Sequence, residues 1–282
     1  MREGIDRAAR SLDRPGGDLT SAHLTRRSFL GLAPAAVGLC LRPAWAAPSE
    51  DDHLPVLRVP AFTRNGPKVP IVIEMAHPMT PEHHITSVHV ANESDPISSK
   101  GTFHFTPENG QVYLAFQARM HEGRSEVSAT AECNRHGSSS TTRPIEIPEG
   151  AGGCSGTAPK AVGRAGGADV GAPVIRIPEL VQRGRIRPGE LIHPQVKMRH
   201  PNRTGLAFRD GKFVPESEPI HLDAMQVYYG GERVSWFAMT SALSDDPFIT
   251  FALLARREAP LRIVLTNNRG QEFEAMHQIR FS

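Results

Sequence analysis

The stretch Ser125-Glu126-Val127-Ser128-Ala129-Thr130-Ala131-Glu132-Cys133 alternates apolar and polar residues without a break. Val127, Ala129, Ala131 and Cys133 share one face, and Ser128, Thr130 and Glu132 share the other. This period of two belongs to a half-buried β-strand. The same habit continues upstream. Val69 to Met75 and Ile85 to Val90 are short β-rich runs, and Thr102-Phe103-His104-Phe105-Thr106 alternates aromatic and polar residues. That run stops at Pro107-Glu108-Asn109-Gly110, a turn signal, and Gln111 to Met120 resumes as a strand. Downstream, Glu190 to Met198, Ile220 to Tyr229, Val234 to Met239, Phe248 to Leu254, Leu261 to Thr266 and Glu272 to Phe281 repeat the pattern. Tyr229-Gly230-Gly231-Glu232 and Asn268-Arg269-Gly270 are hairpin turn candidates.

No convincing amphipathic helix interrupts these runs. The expected fold is all-β, as two immunoglobulin-like antiparallel sandwiches. Twenty-five glycines and 24 prolines in 282 residues suit short strands joined by turns. The hydrophobic fraction of 39% is enough for a core. The formal net charge is only +2, with both signs interspersed, so nucleic acid is not an expected partner.

The first 46 residues read as an export signal rather than as fold. Arg26-Arg27-Ser28-Phe29-Leu30 precedes an apolar run ending at Leu41, and Ala44-Trp45-Ala46 supplies a small-x-small end. Paired arginines in this order describe a twin-arginine signal. The apolar run is roughly 14 residues against the ~20 needed to span a bilayer, so no stable membrane span is expected. The expected address is the periplasm. Residues 47–148 then form the first sandwich, 149–172 a glycine-rich linker, and 173–282 the second sandwich.

Cys40 leaves with the signal, so the mature chain keeps Cys133 and Cys154. An oxidising compartment permits a disulfide between them, and the sequence leaves both the paired and the free state open. Cys154 lies in Gly150-Ala151-Gly152-Gly153-Cys154-Ser155-Gly156. Flanking glycine gives backbone freedom and leaves a thiol uncovered. The expectation is a flexible arm comprising Gly150, Gly152, Gly153, Ser155 and Gly156, with Cys154 as a covalent attachment point. Six residues beyond Pro148, at about 3.3 Å each, give roughly 20 Å of reach.

With these pieces in view, the chain resembles the SoxYZ sulfur-carrier family, with a SoxY-like half first and a SoxZ-like half second. The first half contributes Pro78-Met79-Thr80-Pro81-Glu82, Thr102 to Gly110 and the Gly-Gly-Cys arm. The second contributes His200-Pro201 with Thr204-Gly205, Asp210-Gly211-Lys212, Asp246 to Phe251 and Thr266 to Gly270. The resemblance implies a non-catalytic carrier whose arm cysteine holds thiosulfate-derived or related sulfur intermediates while partner enzymes act on them. Two features depart from the separate-subunit pattern: Ser155 stands where a glycine is common, and the chain continues into a second domain. This arrangement is similar to the fused SoxYZ-like carriers associated with quinoprotein alcohol dehydrogenases. The expected partners are therefore periplasmic sulfur-oxidising or quinoprotein dehydrogenase enzymes, with pairing of the two halves inside one chain. The alternative is an accessory or binding module for such a dehydrogenase, with Cys154 incidental.

No Ser-His-Asp order, phosphate loop or dinucleotide fingerprint stands out, and no catalytic residue is assigned. The histidines, among them His77, His83, His84, His89, His104, His121 and His136, give no expected metal site. His83 and His84 are adjacent on a loop and should diverge, and His89 and His104 should face outward. Cys133 is expected as a small core residue. No cofactor is expected beyond a sulfur adduct on Cys154.

Overall fold

A computed structural model describes residues 53–155 and 170–282. The expected signal over 1–46 and the arm residue Gly156 lie outside the described residues. The first half supplies strands β1 (Val56–Arg58), β2 (Val69–Met75), β3 (Ile85–Ala91), β4 (Ser99–Phe105), β5 (Val112–Ala118), β6 (Gly123–Cys133) and β7 (Gly137–Ile147). The second half opens with β8 (Val174–Arg176), a six-residue helix α1 (Pro178–Arg183), β9 (Glu190–Ile192), β10 (Gln195–Lys197), β11 (Leu206–Arg209) and β12 (Lys212–Pro215). It closes with β13 (Leu222–Tyr229), β14 (Glu232–Met239), β15 (Phe248–Phe251), β16 (Leu253–Ala255), β17 (Pro260–Asn267) and β18 (Glu272–Gln278).

The all-β expectation holds, and every named strand pair is antiparallel. Period-two patterning places the core as expected. Val69, Ile71, Ile73 and Met75 of β2 turn inward, as do Val127, Ala129, Ala131 and Cys133 of β6. The Gly230-Gly231 turn joins β13 to β14 with φ of 60° and 89°, left-handed values that glycine takes at little cost.

The two halves are not separate beads. An eight-stranded sheet runs β18-β17-β13-β14-β4-β3-β6-β7, four strands from each half, joined where β14 pairs with β4. A six-stranded sheet runs β1-β2-β5-β15-β10-β8 and is joined where β15 pairs with β5. The sheets meet through aromatic contacts. The Phe103 ring lies 4.9 Å from Phe116 and 5.3 Å from Phe237, and Phe237 lies 5.8 Å from Phe251. All four rings are buried. The described residues of both halves accordingly fall in one compact unit. No helix among the described residues is long and apolar enough to cross a membrane.

Some elements differ from the sequence pattern for local reasons. Glu190 to Met198 splits into β9 and β10 because Pro194 has no backbone N–H to give a ladder. The β11–β12 hairpin has few inward apolar residues, so its pattern is weak; its turn places Asp210 at φ 50° before Gly211 at φ 76°.

Asn109 ties the halves together at the end of β4. It is fully buried, donates to Ser235 Oγ at 2.9 Å and to the Ala252 carbonyl at 2.8 Å, and accepts the Thr106 amide at 2.9 Å. Asn109→Ala orphans several buried groups at once. It should lower unfolding free energy by about 2–3 kcal/mol in urea denaturation; a loss below about 1 kcal/mol would remove Asn109 as a clasp.

Candidate functional site

Cys154 is 1% exposed, not uncovered. The arm leaves β7 through a turn at Pro148–Ala151, whose Gly150 takes φ 78°, and threads between two backbone segments. Gly66 N–H donates to the Ala151 carbonyl at 3.0 Å, and Gly153 N–H donates to the Met120 carbonyl at 2.7 Å. A Cβ on Gly153 would lie 2.3 Å from Pro67 N, and one on Gly66 would lie 2.4 Å from Ala151 O. These two glycines let three backbones approach closely. Here the Gly-Gly-Cys sequence makes the arm thin enough to dock, which corrects the expectation of a free-standing thiol. Ser155, the next residue, is exposed.

Side chains from both halves hold the docked arm. Arg119, just past β5, donates Nη1 to the Gly153 carbonyl at 3.1 Å. Its Nε and Nη2 donate to the Asn202 carbonyl, and Nη2 pairs with Asp245 at 2.8 Å. Thr204 Oγ1 donates to the Cys154 carbonyl at 2.8 Å. Asn202 in turn donates to Ser244 O and receives the Leu222 amide. The His200-Pro201 and Thr204-Gly205 motif of the second half thus grips the cysteine arm of the first.

Beside the thiol lies a buried ion pair: Lys100 Nζ is 2.6 Å from Asp95 Oδ2, with both side chains almost wholly covered. Asp95 Oδ1 also accepts the His121 amide at 2.7 Å. Burial, seconded by the Asp95 carboxylate and opposed by Lys100 and Arg119, pushes the Cys154 thiol up to about 12. Docked, Cys154 is a protonated and poorly nucleophilic thiol. Asp95, Lys100 and Arg119 carried no signal in the sequence, because they are single polar residues whose meeting depends on long-range pairing; Thr204 stood in the Thr204-Gly205 motif, with nothing local to tie it to Cys154. Lys68, two residues beyond Gly66, lines a cavity of about 950 Å³ together with Arg176, Lys197 and Arg199.

A second grouping gathers around Cys133. Cys133 closes β6 and pairs with Gly137 across the hairpin, so Asn134-Arg135-His136 form the turn. The loop Pro78–His84 folds against this turn. Arg135 Nε donates to the Glu82 carbonyl at 2.7 Å, Asn134 N–H donates to His84 O at 3.1 Å, and His84 N–H donates to Asn134 Oδ1 at 3.0 Å. His83 and His84 do diverge: His84 turns to the Thr80 carbonyl while His83 turns inward.

No common site was expected for the histidines, yet four of them gather at one point. His53, His77, His83 and His136 converge on Cys133. His53 Nε2 lies 2.9 Å from His136 Nδ1 and 3.4 Å from His83 Nε2, and His83 Nε2 lies 3.1 Å from His136 Nδ1. Cys133 Sγ is 3.6 Å from both His77 Nε2 and His136 Nδ1. Cys133 shares the inward face of β6 and joins the hydrophobic core, as expected, and its sulfur also abuts two imidazoles. Desolvation carries His77 down to about 4 and lowers His83, so both are neutral bases at pH 7. The signal available in the sequence was Cys133 and His136 three residues apart at a hairpin turn, with His77 and His83 six apart on a loop. His53 carried no local signal. Both Cys133 and Cys154 are free and buried.

Comparison with known proteins follows this geometry. Residues 45–154 match the family of sulfur oxidation protein SoxY, and residues 182–278 match that of sulphur oxidation protein SoxZ. No curated protein matches the chain. Among solved structures the chain is similar to a Thermotoga maritima protein assigned as a superoxide reductase, with 24% identity over 35% of this chain and 88% of that one at a TM-score of 0.29. It is also similar to a superoxide reductase from Nanoarchaeum equitans, with 21% identity over 35% and 96% of the two chains at a TM-score of 0.27. Likeness at this level bears on neither activity nor ligands. The SoxY match ends on Cys154, and the chain carries a SoxY domain and a SoxZ domain in one polypeptide.

Proposed function

We propose that this protein is a periplasmic sulfur carrier, exported by the twin-arginine route, that holds cargo covalently on Cys154 and presents it to partner enzymes. The observation that carries this reading is the place of Cys154. It ends the SoxY match, and its carbonyl is latched by Thr204 of the SoxZ half. Loading with thiosulfate would join the thiol sulfur to the terminal sulfur of the anion. That step forms an S–S bond, releases the thiol proton and passes two electrons to a redox partner. The basic residues Lys68, Arg176, Lys197 and Arg199 around the neighbouring cavity suit an anionic cargo. Loading requires the arm to leave its groove, because the docked thiol is covered and protonated. Quinoprotein dehydrogenases belong to the expected partner set. Intact-mass spectrometry of native protein should give an increment on Cys154 that a reductant removes. Cys154→Ser should fold, carry no increment and lose function in cells; full function in that variant would sink the carrier role.

The docked state has its own chemistry to check. A thiol held near 12 has on the order of a thousandth of the thiolate of an ordinary cysteine at neutral pH. Native Cys154 should therefore react with iodoacetamide at least a hundredfold more slowly than a free peptide thiol. Thr204→Val, which removes only the latch, should speed it about tenfold or more. Equal rates in the two proteins would mean that Thr204 does not hold the arm.

The raised thiol also ties stability to pH, since the folded state favours the protonated form. That contribution is full below the ordinary value of 9.0 and fades as pH climbs towards about 12. Cys154→Ala should flatten the alkaline limb of a melting-temperature profile. An unchanged limb would show that other groups set it.

A second reading, an accessory module in which Cys154 only packs, is favoured by the depth of its burial. It predicts that partner co-purification and function both survive Cys154→Ser.

A further inference from the structure

Around Cys133 the backbone has been arranged so that five donor atoms converge. His53 comes from the segment before β1, His77 and His83 from the loop between β2 and β3, and Cys133 and His136 from the end of β6 and its turn. One donor atom each from His53, His77, His83 and Cys133 falls within 4.8 Å of the others, and His136 Nδ1 is within 3.6 Å of three of these four.

The spacings have a physical meaning. Two nitrogens bound at about 2.1 Å to one ion lie roughly 3.0 Å apart at a right angle and roughly 3.4 Å apart in a tetrahedron. The His53, His83 and His136 nitrogens, at 2.9, 3.1 and 3.4 Å, span that range. Three imidazole nitrogens facing one another this closely cannot all be satisfied by sharing ring protons, because each neutral ring has one N–H. A cation at their common centre satisfies all of them.

The surroundings set the ligand atoms in advance. The Nδ1 of His77 is 2.6 Å from the Pro78 carbonyl and donates to it, which leaves Nε2 as a bare lone pair facing the cluster. The Arg135 backbone N–H donates to Cys133 Sγ at 3.5 Å and ties the sulfur to the hairpin turn. Hydrogen bonds donated by Asn134 and Arg135 to the Glu82 carbonyl, and by the His84 amide to Asn134 Oδ1, hold the two ligand-bearing segments in register.

We propose that His53, His77, His83, His136 and Cys133 form a mononuclear transition-metal centre with four imidazole nitrogens and one thiolate as its protein donors. Binding a divalent ion breaks the Cys133 S–H bond, forms a metal–sulfur bond and releases one proton; no electron moves. Five donors exceed the four of a closed structural zinc site, and the shorter spacings are those of right angles. The centre therefore fits a five- or six-coordinate first-row ion such as iron(II), cobalt(II) or nickel(II). His136 is exposed, so one side of the cluster is reachable from solvent. Cys154 belongs to none of this, and the centre stands whether or not that residue carries sulfur.

Cobalt(II) is the probe. Titrated anaerobically into the metal-stripped mature chain, it should bind one per protein, with a near-ultraviolet sulfur-to-cobalt charge-transfer band and the weak visible bands of five-coordination. Cys133→Ser should abolish the charge-transfer band, and His136→Ala, at an exposed turn where folding is little at risk, should weaken binding at least tenfold. Cys154→Ser should change neither. Failure to bind one equivalent, or a charge-transfer band that persists in Cys133→Ser, would overturn the centre. Intense tetrahedral cobalt bands, or a His136→Ala variant that binds as tightly as wild type, would overturn the five-donor set.

Discussion

The pairing of β14 with β4 and of β15 with β5 is the constraint on which the rest of this protein depends. Either half alone would present open strand edges in both layers, with rows of unpaired amides and carbonyls. Joined, the halves complete two continuous sheets and close one aromatic core over Phe103, Phe116, Phe237 and Phe251. Asn109 sits at this seam with both of its side-chain donor bonds directed into the second half. Fusion in one chain removes the translational cost of bringing such partners together.

The same seam creates the arm's resting place. Arg119 comes from the end of β5 and Thr204 from the second half, and both bond to backbone carbonyls at Gly153 and Cys154. Docking keeps the Cys154 thiol protonated by desolvation, with the Asp95–Lys100 pair alongside. The contacts that hold the arm are a few hydrogen bonds, among them the Arg119 guanidinium to the Gly153 carbonyl and the Gly150 amide to the Glu122 carboxylate, plus close glycine packing. Neutral hydrogen bonds each contribute on the order of 1 kcal/mol net, and those to charged groups about 1.5–3 kcal/mol. The absence of a side chain at Gly153 allows the tight approach to Gly66 and Pro67.

The Cys133 cluster follows a different logic. Four of its five residues are fixed on a hairpin end and a loop clamped to that hairpin, and His53 joins them from the segment before β1. The two cysteines thus sit in unlike surroundings. One is covered beside a carboxylate that opposes its ionisation, and the other faces imidazoles and a backbone amide.

The sequence by itself determined what depends on near neighbours in the chain. Alternation in Val127 to Cys133 and Val69 to Met75 dictated strands and their inward faces, because side-chain direction follows from the two-residue repeat. Gly230-Gly231 dictated a hairpin, because only glycine takes two positive φ values easily. The Gly-Gly-Cys stretch marked Cys154, and the order of motifs marked two family domains. Tertiary structure alone decided that the halves share sheets, since edge pairing between β4 and β14 leaves no trace in either strand's own pattern. It decided that Cys154 is docked, because the clash a Cβ on Gly153 would make with Pro67 involves residues 86 positions away in sequence. It also decided that His53 and His136, 83 positions apart, meet over Cys133. Such convergence arises only when strand register and loop clamping bring distant side chains to one point, and no local periodicity encodes it.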